Sequence, residues 1–159
     1  MKKLPILVLL TCSVFGVACS SGNKAPDKTT VQTAKLERAQ AEVTLARWSW
    51  GETQKAYDYL KMGKYYDPNS STVDTSDVMV GTLKENSNTV EADVFWRQGF
   101  MILEGKTGTN YPGGTGTATF EQKGGKWFLK KVSGPHNFMR DDLMFDVDPR
   151  FTAGVPDKN

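Results

Sequence analysis

The spacing of apolar residues changes once along this chain, and that change limits the folds it can adopt. Between Leu36 and Leu60, apolar side chains recur every three or four residues, which is typical of an amphipathic helix. From Val78 onward the interval becomes two, and Glu91 and Asp93 alternate with apolar residues as in a strand with one buried face. This order predicts an α+β fold, with N-terminal helices packed on one face of a curved antiparallel sheet.

The helical segment is expected to form two helices rather than one. The first is predicted to begin near Thr29, with Gln32 three residues later as a capping-box partner. Gly51 interrupts the pattern, and the Ser49–Glu52 segment carries the residues of a second capping box. A second helix is predicted from there to about Met62.

Turn residues divide the rest of the domain. The Gly124–Gly125 pair suits a tight hairpin turn that needs positive φ. The segment 107–115 is rich in Gly, Thr and Asn and is predicted to be a loop, whereas 100–103 is expected to be a strand buried on both faces. Strands are predicted at 78–84, 90–96, 117–122 and 126–133, followed by an irregular tail from about residue 134.

The N-terminus carries the features of an export signal. Lys2 and Lys3 precede an apolar run over 4–17, which is shorter than the ~20 residues that a spanning helix needs. The small residues 16–18 then lead into Cys19. This segment resembles the lipobox of bacterial lipoproteins, whose cysteine is acylated after cleavage. The alternative is ordinary cleavage after Ala18, which would leave the protein without an anchor.

The lipobox resemblance implies a domain organisation and a location. Residues 1–18 would be a signal peptide, and the lipidated Cys19 would begin a polar, flexible tether ending near residue 30, before a single domain over 31–159. The anchor would hold the chain to a membrane of the cell envelope. Because Ser20 rather than aspartate follows the cysteine, the Gram-negative sorting rule points to the periplasmic face of the outer membrane.

Two further motifs resemble small NTF2-like domains over about residues 34–132. One combines Trp48, Gly51–Glu52 and Ala56–Leu60, and the other is the Gly124–Leu129 hairpin. The resemblance implies a cone-shaped α+β roll with a pocket between helices and sheet. Many members have a third helix before the main strands, but residues 65–78 are too short and polar for a long one, so a reduced cone and a different fold stay open. The family includes isomerases, hydrolases and non-catalytic members, so the fold alone does not assign a function.

The charge and the residue inventory exclude several kinds of site. Lys2 and Lys3 precede Cys19 and no acidic residue does, so the rest of the chain is formally neutral and lacks the basic surface that nucleic acid requires. No cysteine follows Cys19, which excludes disulfides, zinc thiolates and a cysteine nucleophile in the domain. The single histidine, His136, cannot build a three-histidine zinc site and is predicted to lie in an exposed loop.

The densest acidic group lies near the C-terminus. Asp141, Asp142, Asp146 and Asp148 fall within eight residues, but they lack the glycine and the closing glutamate of an EF-hand loop. Arg140 and Arg150 bracket the Asp141–Asp148 stretch, which favours local ion pairs. No metal site and no cofactor are therefore predicted.

The candidate pocket is aromatic. If the domain is a cone, Tyr57, Trp96 and Trp127 would line it, and Gln98 would supply a polar contact. The alternative is that these aromatic residues belong to the core, as regularly spaced aromatic side chains usually do.

Three functions follow from these features. The leading hypothesis is a non-catalytic, membrane-anchored domain that binds a small apolar ligand or an envelope protein. The second is a structural or docking component of an envelope or secretion assembly. The third is an NTF2-like hydrolase or isomerase with an Asp-centred pocket.

Overall fold

The computed structural model describes residues 34–154. In this part of the chain, one helix precedes ten strands. The helix α1 spans Arg38–Leu60. The strands are β1 (Thr72–Val73), β2 (Val78–Asn86), β3 (Thr89–Trp96), β4 (Phe100–Glu104), β5 (Thr107–Tyr111), β6 (Gly114–Lys123), β7 (Lys126–Ser133), β8 (Met139–Arg140), β9 (Phe145–Asp146) and β10 (Thr152–Ala153).

The main sheet is antiparallel. Its strand order is β2-β3-β6-β7-β8, and β9 also pairs with β7. The β4–β5 hairpin forms its own two-stranded sheet beside α1, and β1 pairs with β10 in parallel. The predicted α+β class, with a helix on a mostly antiparallel sheet, is confirmed.

The prediction of two helices is wrong, because α1 continues through Gly51. The hydroxyl of Ser49 donates to the Ala46 carbonyl one turn back (2.9 Å), so this side chain does not cap a second helix. A glycine inside a helix costs only about 1 kcal/mol relative to alanine, and tertiary packing of the flanking turns outweighs that cost. The helix begins after Glu37, whose backbone N–H donates to the side-chain oxygen of Gln40.

The predicted start of that helix at Thr29 and Gln32 lies outside the described residues. So do the predicted signal peptide, Cys19 and the tether.

The segment 107–115, predicted as a loop, contains β5 and the start of β6. The β4–β5 ladder runs from the Phe100–Tyr111 pair to the Glu104–Thr107 pair. Gly108 allows the hairpin to approach α1, since a Cβ there would lie 2.9 Å from Leu60 Cδ1. The glycine that suggested a loop therefore lies in a strand that packs closely against the helix.

Strand β4 is buried on one face only, which corrects the expectation for 100–103. Phe100 and Ile102 are buried, whereas Met101 and Leu103 are half-buried. Because the hairpin packs on α1 with one side, the alternation of a strand decides which of its residues are buried.

Interlocking aromatic rings fill the space between α1 and the sheet. Trp48 of α1 lies 6.4 Å from Trp96 of β3 and 5.9 Å from Phe100 of β4, measured between ring centroids. Phe138 stacks on Trp48 at 6.1 Å and lies 5.5 Å from Phe100. Edge-on and offset contacts of this kind add stability beyond the area that they bury.

The C-terminal stretch is more ordered than predicted. A 3₁₀ turn at Pro135–Asn137 contains His136, which is exposed as expected and has φ of 58°. Three two-residue strands follow, and β9 and β10 attach the stretch to β7 and β1. Two-residue strands leave no measurable period in a sequence, so only their partners reveal them.

Candidate functional site

The structure places the four predicted pocket residues in four different settings. Trp96 is 1% exposed and belongs to the core, while Gln98 is exposed in the turn after β3. Tyr57 is half-buried on α1, where its ring lies 5.1 Å from that of Tyr65. Trp127, at the start of β7, donates its indole N–H to the Ala34 carbonyl (2.7 Å).

A cavity of about 230 Å³ lies elsewhere, on the side of α1 that faces the C-terminal stretch, and none of those four residues lines it. Its walls come from Arg47, Trp50 and Gly51 of α1, from segment 66–73, and from Phe145 and Phe151. We call this cavity the Arg47 cleft.

Hydrogen bonds hold two of the walls in place. The side-chain oxygen of Gln54 accepts from the backbone N–H groups of Tyr65 (2.6 Å) and Tyr66 (3.3 Å), which fixes the segment after the helix against α1. The Thr152 N–H donates to the Ser71 carbonyl (3.0 Å), and this contact brings Phe151 alongside segment 66–73. The cleft is therefore bordered by parts of the chain about 80 residues apart.

Arg47 supplies the charge of the cleft. Its guanidinium carbon lies 4.0 Å from the ring centroid of Phe151 and 4.5 Å from that of Phe145. One guanidinium nitrogen donates to the Asp146 backbone carbonyl. Burial lowers the pKa of Arg47 from its usual value, and the charges of Asp148 and Asp146 oppose that shift. Because an arginine keeps its charge in proteins, the cleft holds a half-buried cation.

No carboxylate within residues 34–154 comes within 4.0 Å of the Arg47 guanidinium nitrogens. The carboxylate of Asp148 instead bonds Arg150, the neighbour two residues along, through Nε and one terminal nitrogen. This contact lowers the pKa of Asp148 to about 2. Arg47 thus retains donors that no acidic side chain engages.

The acidic stretch forms ion pairs at both ends rather than a cluster. Asp141 pairs with Lys131 of β7 (2.9 Å) and Asp148 with Arg150, whereas Arg140 donates to the Leu103 carbonyl (2.9 Å). In the part of the chain that is described, no three His, Cys, Asp or Glu side chains are grouped to hold a metal ion.

Gly51 forms part of the cleft wall although the helix does not require a glycine there. A Cβ at this position would meet only the Tyr66 hydroxyl, at 3.8 Å, which is an ordinary contact. Alanine would therefore fit and would favour the helix by about 1 kcal/mol. The missing side chain leaves open space beside Arg47.

The lining suits binding. The rings of Trp50 and Tyr66 are tilted by 56° and lie 5.9 Å apart between centroids, and with Phe145 and Phe151 they give the cleft apolar walls around one cation. Asp67 is the carboxylate on the rim, and it accepts a hydrogen bond from the Asn69 N–H (3.1 Å). Apolar walls with a few polar groups are typical of small-molecule sites.

Arg47 is not among the site residues predicted from the sequence. A signal was present, because Arg47 falls one turn after Val43 and one turn before Trp50, inside the apolar stripe of α1. A cation in such a stripe needs a partner or a ligand. The phenylalanines that flank it lie about 100 residues later, so no local pattern could connect them.

Comparison of the chain with protein-family models, curated proteins and solved structures gave no match. Within residues 34–154, no helix is both long enough and apolar enough to cross a lipid bilayer.

Proposed function

We propose that this chain is a non-catalytic, lipid-anchored binding protein of the bacterial cell envelope and that the Arg47 cleft is its ligand site. The observation that carries the proposal is the half-buried Arg47 guanidinium, flanked by two phenylalanine rings and open to a cavity of about 230 Å³. A buried charge destabilises a protein unless something compensates it, and a bound anion would do so.

The proposed fold family is a reduced NTF2-like roll. One long helix packed on an antiparallel sheet is compatible with it. The space where a cone-shaped roll would have its pocket is occupied here by Trp48, Trp96 and Phe100. That filling favours a binding site at the edge of the roll over a catalytic site inside it.

Native mass spectrometry of the chain extracted from membranes of its own host tests the proposal. Acylation of Cys19 would add mass that remains after denaturation, whereas a ligand of the cleft would add mass that denaturation removes. We expect both increments. If the chain shows only the mass of its polypeptide in both the native and the denatured spectrum, both the anchor and the ligand site are refuted.

The anchor has its own test. Because acyl chains hold a protein to a bilayer by about 0.8 kcal/mol per buried CH₂, Cys19→Ala should release the chain from membranes. The measurement is fractionation of cells that express either form. Cys12→Ala is the matched control and should stay with the membrane. Membrane retention of the Cys19→Ala chain would contradict the lipid anchor.

Docking to an envelope or secretion assembly is the second candidate, and one observation favours it. Met79 of β2 and Phe95 of β3 pair directly across the outer face of the sheet, and they are 55% and 41% exposed. Crosslinking in cells from a photoreactive residue at Phe95 would test it. One discrete adduct with a protein would support docking, and no adduct would count against it.

The third candidate, an enzyme with an Asp-centred pocket, would use Asp67, the carboxylate on the cleft rim. An Asp67→Asn chain that loses a hydrolase or isomerase activity of the unsubstituted chain would support that reading. Unchanged ligand mass on the Asp67→Asn chain would support binding without catalysis.

A further inference from the structure

We infer that the ligand of the Arg47 cleft is a small monocarboxylic acid with a flat apolar group. This inference rests on the proposed function, because it names the ligand class for the same site. Four properties of the cleft carry it: the free donors of Arg47, the size of the cavity, its aromatic walls and the acidic residues near its cation.

The free donors select an anion. A guanidinium has five N–H groups, and the structure shows one of its nitrogens donating to the Asp146 carbonyl. No carboxylate of residues 34–154 forms an ion pair with Arg47, and the planar fork of arginine matches the two oxygens of a carboxylate. A ligand carboxylate can thus make the contact that the chain does not provide.

The charges around Arg47 favour a ligand with a single negative charge. Asp148 and Asp146 both act on the guanidinium, and Asp67 lies on the rim of the same cleft. Arg150 pairs with Asp148, and Lys64 lies 3.8 Å from Asp67, so these acidic groups are themselves partly neutralised. Arg47 is the one cationic side chain among the residues that line the cleft, so a carboxylate would balance its charge, whereas a dianionic phosphate would leave one negative charge without a partner.

Size and walls define the remainder of the ligand. A cavity of about 150 Å³ is enough for benzene, so the Arg47 cleft, at about 230 Å³, has room for one ring and a carboxylate. Trp50, Tyr66, Phe145 and Phe151 all line it and give it aromatic surface. Aromatic faces stack well on flat apolar groups.

Gly51 is consistent with this assignment. Its position would accept a Cβ without a clash, so helix packing does not explain the glycine. A larger side chain there would project into the space beside Arg47. The same position therefore offers a variant that closes the cleft without touching its charge.

The test compares probes that share one ring and differ in charge. We would titrate benzoate, benzamide and phenyl phosphate into the lipidated chain in a nonionic detergent, follow binding by calorimetry, and subtract titrations into detergent alone. We expect benzoate to bind at least tenfold more tightly than either of the others. Equal affinity for benzamide would overturn the role of charge, and equal or tighter binding of phenyl phosphate would overturn the carboxylate.

Variants then locate the binding. Arg47→Met should remove the preference for benzoate over benzamide, and Arg47→Lys should retain only part of it, because a lysine lacks the planar fork. Arg97→Met is the matched control, since Arg97 is exposed and lies outside the cleft. Gly51→Phe should abolish binding of all three probes. Unchanged benzoate binding by Arg47→Met or Gly51→Phe would refute the site.

The outcomes separate this inference from the proposed function. If the native spectrum shows a ligand mass but benzoate and benzamide bind equally well, the carboxylate ligand is rejected and the proposal of a binding protein is retained. Bare mass together with no binding of any probe would reject both. If Arg47→Met fails to fold, the comparison of benzoate with benzamide on the unsubstituted chain still decides the question.

Discussion

Replacement of Gly51 by alanine should stabilise this protein. In the interior of a helix, alanine is favoured over glycine by about 1 kcal/mol, and much of that difference comes from the entropy of the unfolded chain. Steric contacts in the folded protein should offset little of this gain, because the new Cβ would lie 3.8 Å from the Tyr66 hydroxyl. We therefore expect the free energy of unfolding to rise by about 0.5–1 kcal/mol.

Urea unfolding at neutral pH measures the effect directly. The midpoint should rise with an unchanged m-value, and the melting temperature should increase by about 2–5 °C for a domain of this size. Gly125→Ala is the matched control, since Gly125 has φ of 77° in the turn between β6 and β7. There the same methyl group should destabilise by about 1 kcal/mol or more.

The result also decides between the continuous helix and the two helices that the sequence suggested. If α1 ended near Gly51, that residue would lie at a terminus, where glycine is tolerated and alanine offers no such gain. Destabilisation by Gly51→Ala, with an unchanged m-value, would refute the continuous helix or the open space beside Tyr66.

Two further predictions concern the core and the acidic stretch. Phe120 is fully buried on β6, so Phe120→Ala should lower the free energy of unfolding by about 3–5 kcal/mol, whereas Phe95→Ala, at an exposed position, should lower it much less. Urea unfolding compares the two variants, and similar losses would contradict the assignment of the sheet faces. The pKa of Asp148 is lowered to about 2 from 3.8, so its stabilisation is complete above about pH 4 and is lost as the pH falls towards 2. Because Arg150 is exposed, solvent screens the pair and that stabilisation should be small, and Asp148→Asn should reduce the loss of stability between pH 5 and pH 2. An equal loss in both proteins would show that the Asp148–Arg150 pair does not contribute.

The sequence predicted the longer strands of the main sheet well. The β2–β3 and β6–β7 hairpins lie where the alternation and the glycine pair placed them, because in these strands one face is buried and the other is solvated. The bulge in β2 was not predictable. Between Val80 and Leu83 the register shifts by one residue and returns Leu83 to the inner face.

The errors share a physical cause. Gly51 and Gly108 each indicated a break, yet each lies inside a regular element: packing of the flanking turns keeps α1 continuous through Gly51, and the β4–β5 pairing keeps Gly108 in a strand. Local propensities describe a residue without its tertiary neighbours, so they mistake a glycine inside a packed element for one that ends a helix or strand.

The candidate site was the least predictable part. Its cation lies on α1, and the rings that flank it, Phe145 and Phe151, belong to a stretch without any period. The aromatic residues that the sequence favoured follow the regular spacing of the core, and Trp96 is indeed buried there.

By itself, the sequence determined the α+β class, the sheet hairpins and the absence of cysteine after Cys19, because each depends on local spacing or on inventory. The tertiary structure alone decided that α1 is continuous and that Arg47 meets Phe145 and Phe151. Contacts between residues about 100 positions apart depend on how the elements pack, and packing is set by the summed burial of the whole domain rather than by any short segment.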